Sequence, residues 1–242
     1  MNRQSNTYTI IYSAVLVVLV GVVLSVVYQA LRPAQVRNIE ADTQKQILAA
    51  ARIVPAEGQE IGTVWKEHIT SSYIVNDKGE KTDAGVDPFK VKVADEVKKP
   101  AGERLLPVFE CSTDKGVKYI LPVYGAGLWG PIWGYVAFDD NGDTIYGAYF
   151  AHQGETPGLG AEIEKPWFQD QFEGKDVFNT DGAFQSVKVV KNGKEPNDGS
   201  AFVHAVSGGT ITSQGVEKML QNSLEPYTAF LTCLLYTSPS PR

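Results

Sequence analysis

Between Arg3 and Arg32 the chain carries no charged residue, and Ile10–Tyr28 is almost continuous Val, Leu and Ile. At a rise of 1.5 Å per residue, a run of this length crosses a bilayer core as a single helix. A cleaved signal peptide competes with that reading, but its apolar region is typically about 7–15 residues and ends at small residues. Tyr28-Gln29-Ala30-Leu31-Arg32-Pro33 is a poor cleavage site. Residues 1–31 are therefore expected to be an uncleaved anchor. The remainder of the 242 residues leaves room for one domain of roughly 150–200 residues with a proper core. Arg32, Arg37 and Lys45 outnumber Arg3 across the anchor, which leans against export of that domain. Long domains, however, translocate largely regardless of charge.

Charge and cysteine usage exclude several classes. The net charge of −6 and the lack of a Lys/Arg cluster argue against nucleic acid. Lys98-Lys99 and Lys188–Lys194 are broken by acids, Pro or apolar residues and read as solvated faces. Cys111 and Cys233 form no CxxC, and His68, His152 and His204 are scattered, so no metal site is expected. Cys111, in the apolar run Leu105–Cys111, reads as a small core residue. Asp140-Asn141-Gly142-Asp143 lacks the glutamate and spacing of an EF-hand and reads as a hairpin turn. The Walker and dinucleotide fingerprints are absent.

After the anchor, Val36, Ile39, Ile47 and Ala50 recur at helical spacing, predicting a helical stalk over 32–55 that Pro55 stops. Residues 56–104 suggest an irregular stretch with a short helix near Ile61–Tyr73 and short strands at Tyr73–Val75 and Phe89–Val93. Strands are predicted at Leu105–Glu110, Lys118–Tyr124, Ile132–Phe138 and Thr144–Ala151. Leu159–Phe172 is expected to be a helix that Pro166 shortens or breaks. Two further strands, Phe184–Val190 and Ala201–Val206, are expected to turn at Asn192-Gly193, and a closing helix to run from Ser213 to Phe230. The pattern predicts an α+β domain over 56–232, with a mostly antiparallel sheet and flanking helices, behind one N-terminal transmembrane helix.

Three stretches stand out from plain structure. Tyr124–Tyr135 brackets aromatics with glycines, which lets backbone and ring approach something flat. His152–Gly160 is a tight polar turn leading into a helix. Ser207-Gly208-Gly209-Thr210-Ile211-Thr212-Ser213 is a hydroxyl-rich turn between a strand and a helix, where free N–H groups and the helix dipole suit a phosphate. Together they offer an aromatic face, backbone donors and a phosphate seat, as a flavin mononucleotide requires.

The segments GLWGPIWGYVAFD at 127–139, ETPGLGAEI at 155–163 and SGGTITSQGVE at 207–217 resemble the C-subunit family of sodium-translocating NADH:quinone oxidoreductases. They resemble more loosely the G subunits of Rnf complexes. The resemblance covers the anchor and nearly all of the following domain. It implies a flavinylation motif, S-G-A-T-x-T, in which a flavin transferase esterifies the phosphate of FMN onto the last threonine, here Thr212. Ser207, Gly208, Gly209, Thr210 and Ser213 would surround that attachment. Leu128 and Trp129 would pack near the isoalloxazine, with Glu155, Thr156 and Leu159 closing its other side. No residue of the chain is then expected to act as a general acid, base or nucleophile on a substrate. Two departures bear on maturation: Gly209 replaces the usual Ala, and His204 stands where the family commonly has Asp.

The resemblance further implies a single-pass protein of the bacterial inner membrane with its domain on the periplasmic side. Its partners would be the other membrane subunits of the complex and the transferase. An Rnf-type subunit relaying electrons between ferredoxin and NAD is the alternative, as is a non-redox anchored binding or scaffold protein. Residues 233–242, CLLYTSPSPR, resemble translated adapter sequence and are expected to be a non-native tail.

Overall fold

The structure is a computed structural model describing residues 6–100 and 102–237. The chain divides after Thr43 into two units. Helix α1 runs Asn6–Ala50 and contains Pro33, so the predicted anchor and stalk are one continuous helix. In its first unit every residue of the most apolar window is unburied, at mean hydropathy 2.9, and the helix is long and apolar enough to cross a membrane. Pro33 removes an N–H that would otherwise reach the Gln29 carbonyl one turn back. The helix ends before Pro55, in a left-handed turn at Arg52 (φ 60°). There Arg52 N–H donates to the Ala49 carbonyl and Ile53 N–H to that of Leu48, a Schellman arrangement. The cost of a left-handed arginine, about 1–2 kcal/mol, is set against its ion pairs to Glu173 at 2.8 Å and Asp170 at 3.5 Å.

The second unit is an α+β domain around one antiparallel sheet. Its strands are β1 (Ile69–Val75), β2 (Lys81–Thr82), β3 (Leu106–Thr113), β4 (Gly116–Ala126), β5 (Pro131–Phe138) and β6 (Ile145–His152). They lie in the order β2-β1-β3-β4-β5-β6, so each of the last four pairs with its neighbour in sequence. Alternation along the strands sends successive residues to two cores. Leu121, Val123, Val136 and Phe138 join a large core with Val216, Leu220 and Leu224, whereas Ile120, Ala137 and Cys111 join a smaller one with Ile47 and Ala50. Cys111 is thus the core residue its sequence context suggested, and burial pushes its thiol up to about 11. The β5–β6 turn forms at Asp139–Asp143 as expected, with Asn141 Oδ1 accepting the N–H groups of Asp143 and Thr144, each at 3.0 Å.

Helix α2 spans Ile61–His68. The strand expected at Phe89–Val93 is instead a 3-10 turn, Pro88–Lys90, followed by the short helix α3 (Val93–Glu96). Asp87 caps that turn by accepting the Phe89 N–H at 3.0 Å, and Pro88 presets its first residue. Leu159–Phe172 breaks as Pro166 implied, into Gly160–Glu164, α4 (Pro166–Gln169) and Asp170–Phe172. Strands β7 (Lys188–Val190) and β8 (Phe202–His204) are shorter than predicted and parallel, so residues 191–201 form a crossover rather than a hairpin. Ser186 at φ 59° breaks the predicted Phe184–Val190 strand ahead of β7. Helix α5 (Thr210–Leu224) begins three residues earlier than predicted and packs on β4. Gly215 permits that packing, since a Cβ there would collide with the Ala126 carbonyl oxygen. Helix α6 (Thr228–Thr237) continues through the first residues of the expected tail, with Leu234 packed against the large core. The rest of that expected tail, residues 238–242, lies outside the described residues.

Candidate functional site

Strands β4 and β5 are joined by residues 127–130, closed by the Gly127 N–H donating to the Gly130 carbonyl at 2.8 Å. The turn holds Leu128 and Trp129 out from the sheet, and Trp129 is 68% exposed. At the turn the Trp129 N–H has no partner strand, and it donates to Glu155 Oε1 at 2.8 Å. Glu155 follows β6, whose last residue, His152, accepts the Glu155 N–H on Nδ1 at 3.1 Å. The Nε2 of that ring lies 3.7 Å from Glu164. Beyond Glu155 the chain doubles back, with the Thr156 carbonyl accepting the N–H groups of Leu159 and Ala161 at 3.1 and 3.2 Å.

The third segment enters from β8. Gly208 adopts φ 76°, a conformation side chains rarely take. Gly209 caps α5, and the N–H groups of Thr210, Ile211 and Thr212 have no acceptor within the helix. Ser213 faces inward, its Oγ accepting the Val206 N–H at 3.0 Å. Thr212 is 1% exposed, and its Oγ1 donates to Glu155 Oε2 at 2.5 Å. One carboxylate, itself 4% exposed, thereby joins all three segments that stood out in the sequence. Gly160 completes the contact: a Cβ there would collide with both Glu155 Oε2 and Thr212 Oγ1.

The structure brings together Thr212, Glu155, Trp129 and Leu159, and separates others of the predicted set. Leu159 covers Gly208, approaching a Cβ there to 2.6 Å. Ser207, Thr210 and Ser213 instead line a cavity of about 160 Å³ with Lys191 and Gln214, and Thr212 does not border it. Residues 210, 213 and 214 share one helix face, while 212 points away from it. The cavity is smaller than the ~300 Å³ of most small-molecule sites, so it does not enclose a flavin ring. Thr156 is exposed and enters only through its carbonyl. His204 is exposed, with its main chain paired to Gln171, and Gly209 sits tightly, a Cβ there meeting Val206 at 3.1 Å.

Sequence reasoning missed His152, Gly160 and Ile211. His152 positions the Glu155 backbone, and its place three residues earlier in a tight turn was the available signal. Gly160 lay within the quoted motif, but only the fold shows what its missing side chain makes room for. Ile211, next to Thr212 in the chain, is an exposed apolar residue like Leu128, Trp129 and Leu159.

The FMN-binding domain family matches residues 127–225, a span containing all three converging segments. The chain is 30% identical to the C subunit of the Na(+)-translocating NADH-quinone reductase of Pseudomonas aeruginosa, over 96% of this chain and 97% of that protein. It is 33% identical to the corresponding protein of Pasteurella multocida, over 77% of each. Among solved structures, the C subunit from Parabacteroides distasonis superposes with a TM-score of 0.77 at 45% identity, covering 87% of this chain and 98% of that one. The Shewanella oneidensis protein superposes at 0.67 with 27% identity, covering 82% and 98%. This chain belongs to the C-subunit family of the Na(+)-translocating NADH-quinone reductase.

Proposed function

We propose that this chain is a membrane-anchored electron-transfer subunit of a sodium-pumping NADH:quinone oxidoreductase, carrying FMN esterified through its phosphate to Thr212. The observation that carries the reading is the convergence of the 127–130 turn, the Glu155–Gly160 turn and the start of α5 on the Thr212 hydroxyl. The residues fit the group. Leu128, Trp129, Leu159 and Ile211 offer exposed apolar surface to a flat ring, while the first N–H groups of α5 favour a phosphate's charge. Bound FMN would supply the electron-carrying chemistry. The chain's own residues fix its attachment point, hold the unmodified Thr212 hydroxyl away from water through the buried Glu155–Thr212 contact, and offer surface for the ring.

Residues 1–31 would anchor the chain in the bacterial inner membrane, 32–55 would form the stalk, and 56–232 the periplasmic FMN-binding domain. Partners would be the other membrane subunits and a flavin transferase that matures the protein. The apolar stretch of α1 and the family membership support this arrangement. The test is co-expression with the transferase, followed by ultraviolet fluorescence of the denatured band from the membrane fraction. A fluorescent band is expected. A dark band from fully expressed protein overturns covalent attachment, and a fluorescent band found only in the soluble fraction overturns the anchor.

A further inference from the structure

The oxygen proposed to carry the flavin is closed off in this structure. Thr212 is 1% exposed, its proton is committed to Glu155, and the Gly160 backbone presses against both. A transferase cannot reach Oγ1 unless the Glu155–Gly160 turn moves. We propose that Glu155 is a positioning residue that controls maturation: it latches the turn over unmodified Thr212, and flavin attachment breaks the latch. The proposal rests on Thr212 being the attachment site.

The chemistry makes the two states exclusive. Attachment forms an Oγ1–P bond and breaks the anhydride P–O bond of an activated flavin phosphate, whose leaving group departs with the bonding electrons. The hydroxyl proton passes to a base of the transferase or to solvent, and nothing is oxidised or reduced. The product oxygen has no hydrogen to donate, and the charged non-bridging oxygens of a phosphodiester now lie two bonds from it. The Glu155 carboxylate would lose a donor and gain a like-charged neighbour in a buried place, an arrangement that is strongly disfavoured. The turn is also lightly held. Thr156, Pro157, Gly158 and Leu159 are exposed, and Gly158 has φ 75°. Its carbonyls at Thr156 and Leu159 accept from Ala161 and Glu162 in the segment that follows, whereas its side-chain hydrogen bonds across the domain run through Glu155, to Trp129 and Thr212, with the Glu155 N–H bound to His152. Releasing Glu155 therefore frees Leu159 to leave Gly208, uncovering the helix start where the phosphate would sit.

The test has two arms on the full-length protein in detergent. In the first, hydrogen exchange at the Trp129, Leu159 and Ala161 amides is compared among unmodified wild type, Thr212→Val and flavin-bearing wild type. Exchange is expected to rise about ten-fold or more in the last two, because each lacks the Thr212 proton. In the second, the rate of flavin transfer to purified unmodified protein is followed by mass for wild type, Glu155→Gln and Glu155→Ala. Both variants are expected to accept flavin several-fold faster, and Glu155→Gln keeps the side-chain shape if Glu155→Ala unfolds. Flavin on Thr212 with unchanged exchange, or slower transfer to a folded Glu155→Gln, overturns the latch alone. Slower transfer would make the carboxylate a required proton acceptor instead. Absence of flavin from wild-type Thr212 overturns the attachment reading and the latch with it.

Discussion

Two adjacent hydroxyls in the first turn of α5 are equally buried and differently wired. Ser213 Oγ accepts a backbone N–H from Val206, three residues before the helix cap, so its partner is part of the same local fold. Thr212 Oγ1 gives its proton to a carboxylate 57 residues away on an exposed turn. A main-chain partner cannot leave without unravelling the helix start, whereas a side chain on a surface turn can. Under the proposed attachment, the difference separates a hydroxyl that builds the site from one that would be modified within it. It also makes the burial of Thr212 compatible with the proposed attachment.

Substitutions sharpen that contrast, and the largest effect is expected at Thr212 itself. Thr212→Ala should remove covalent flavin completely, read as a dark denatured band, while Ser213→Ala should leave the band fluorescent. Gly160→Ala comes next. Its Cβ would force Glu155 and Thr212 apart, so unfolding in denaturant should show a loss of up to about 3 kcal/mol in the unmodified protein. Ser213→Ala leaves the buried Val206 N–H without its partner and should cost about 1–2 kcal/mol in the same measurement. The smallest effect is expected at Gly209, where φ is −103° and a Cβ would need Val206 and the Leu159 backbone to yield by a few tenths of an ångström. Gly209→Ala should change stability by less than about 1 kcal/mol and leave attachment intact. If Ser213→Ala abolished attachment while remaining folded, the division between the two hydroxyls would fail.

The sheet was legible because its information is local. The turn residues at Asp139–Asp143 between Ile132–Phe138 and Thr144–Ala151 predict a hairpin, and β5 and β6 pair from Ile132↔His152 to Phe138↔Ile145. What depended on distant partners was not legible. Nothing near 186–204 signals a parallel pair, and Asn192-Gly193 looks like a hairpin turn although it lies on a crossover. The helix start moved from Ser213 to Thr210 because Gly209, not a side chain, supplies the cap. That shift turns Thr212 inward and away from the cavity at Thr210. The resemblance named Trp129, Glu155 and Thr212, but not that Glu155 spans from Trp129 to Thr212. Such a bridge is set by packing of α5 on β4 through Gly215, which no local pattern encodes.

Attachment at Thr212 is tested most directly by peptide mapping of the chain co-expressed with a flavin transferase. Cleavage after Lys194 and Lys218 releases residues 195–218, which hold Ser207, Thr210, Thr212 and Ser213 together. Fragmentation of that peptide should place the flavin phosphate on Thr212 alone. Flavin on Thr210 or Ser213, or an unmodified peptide from protein exposed to active transferase, would contradict it.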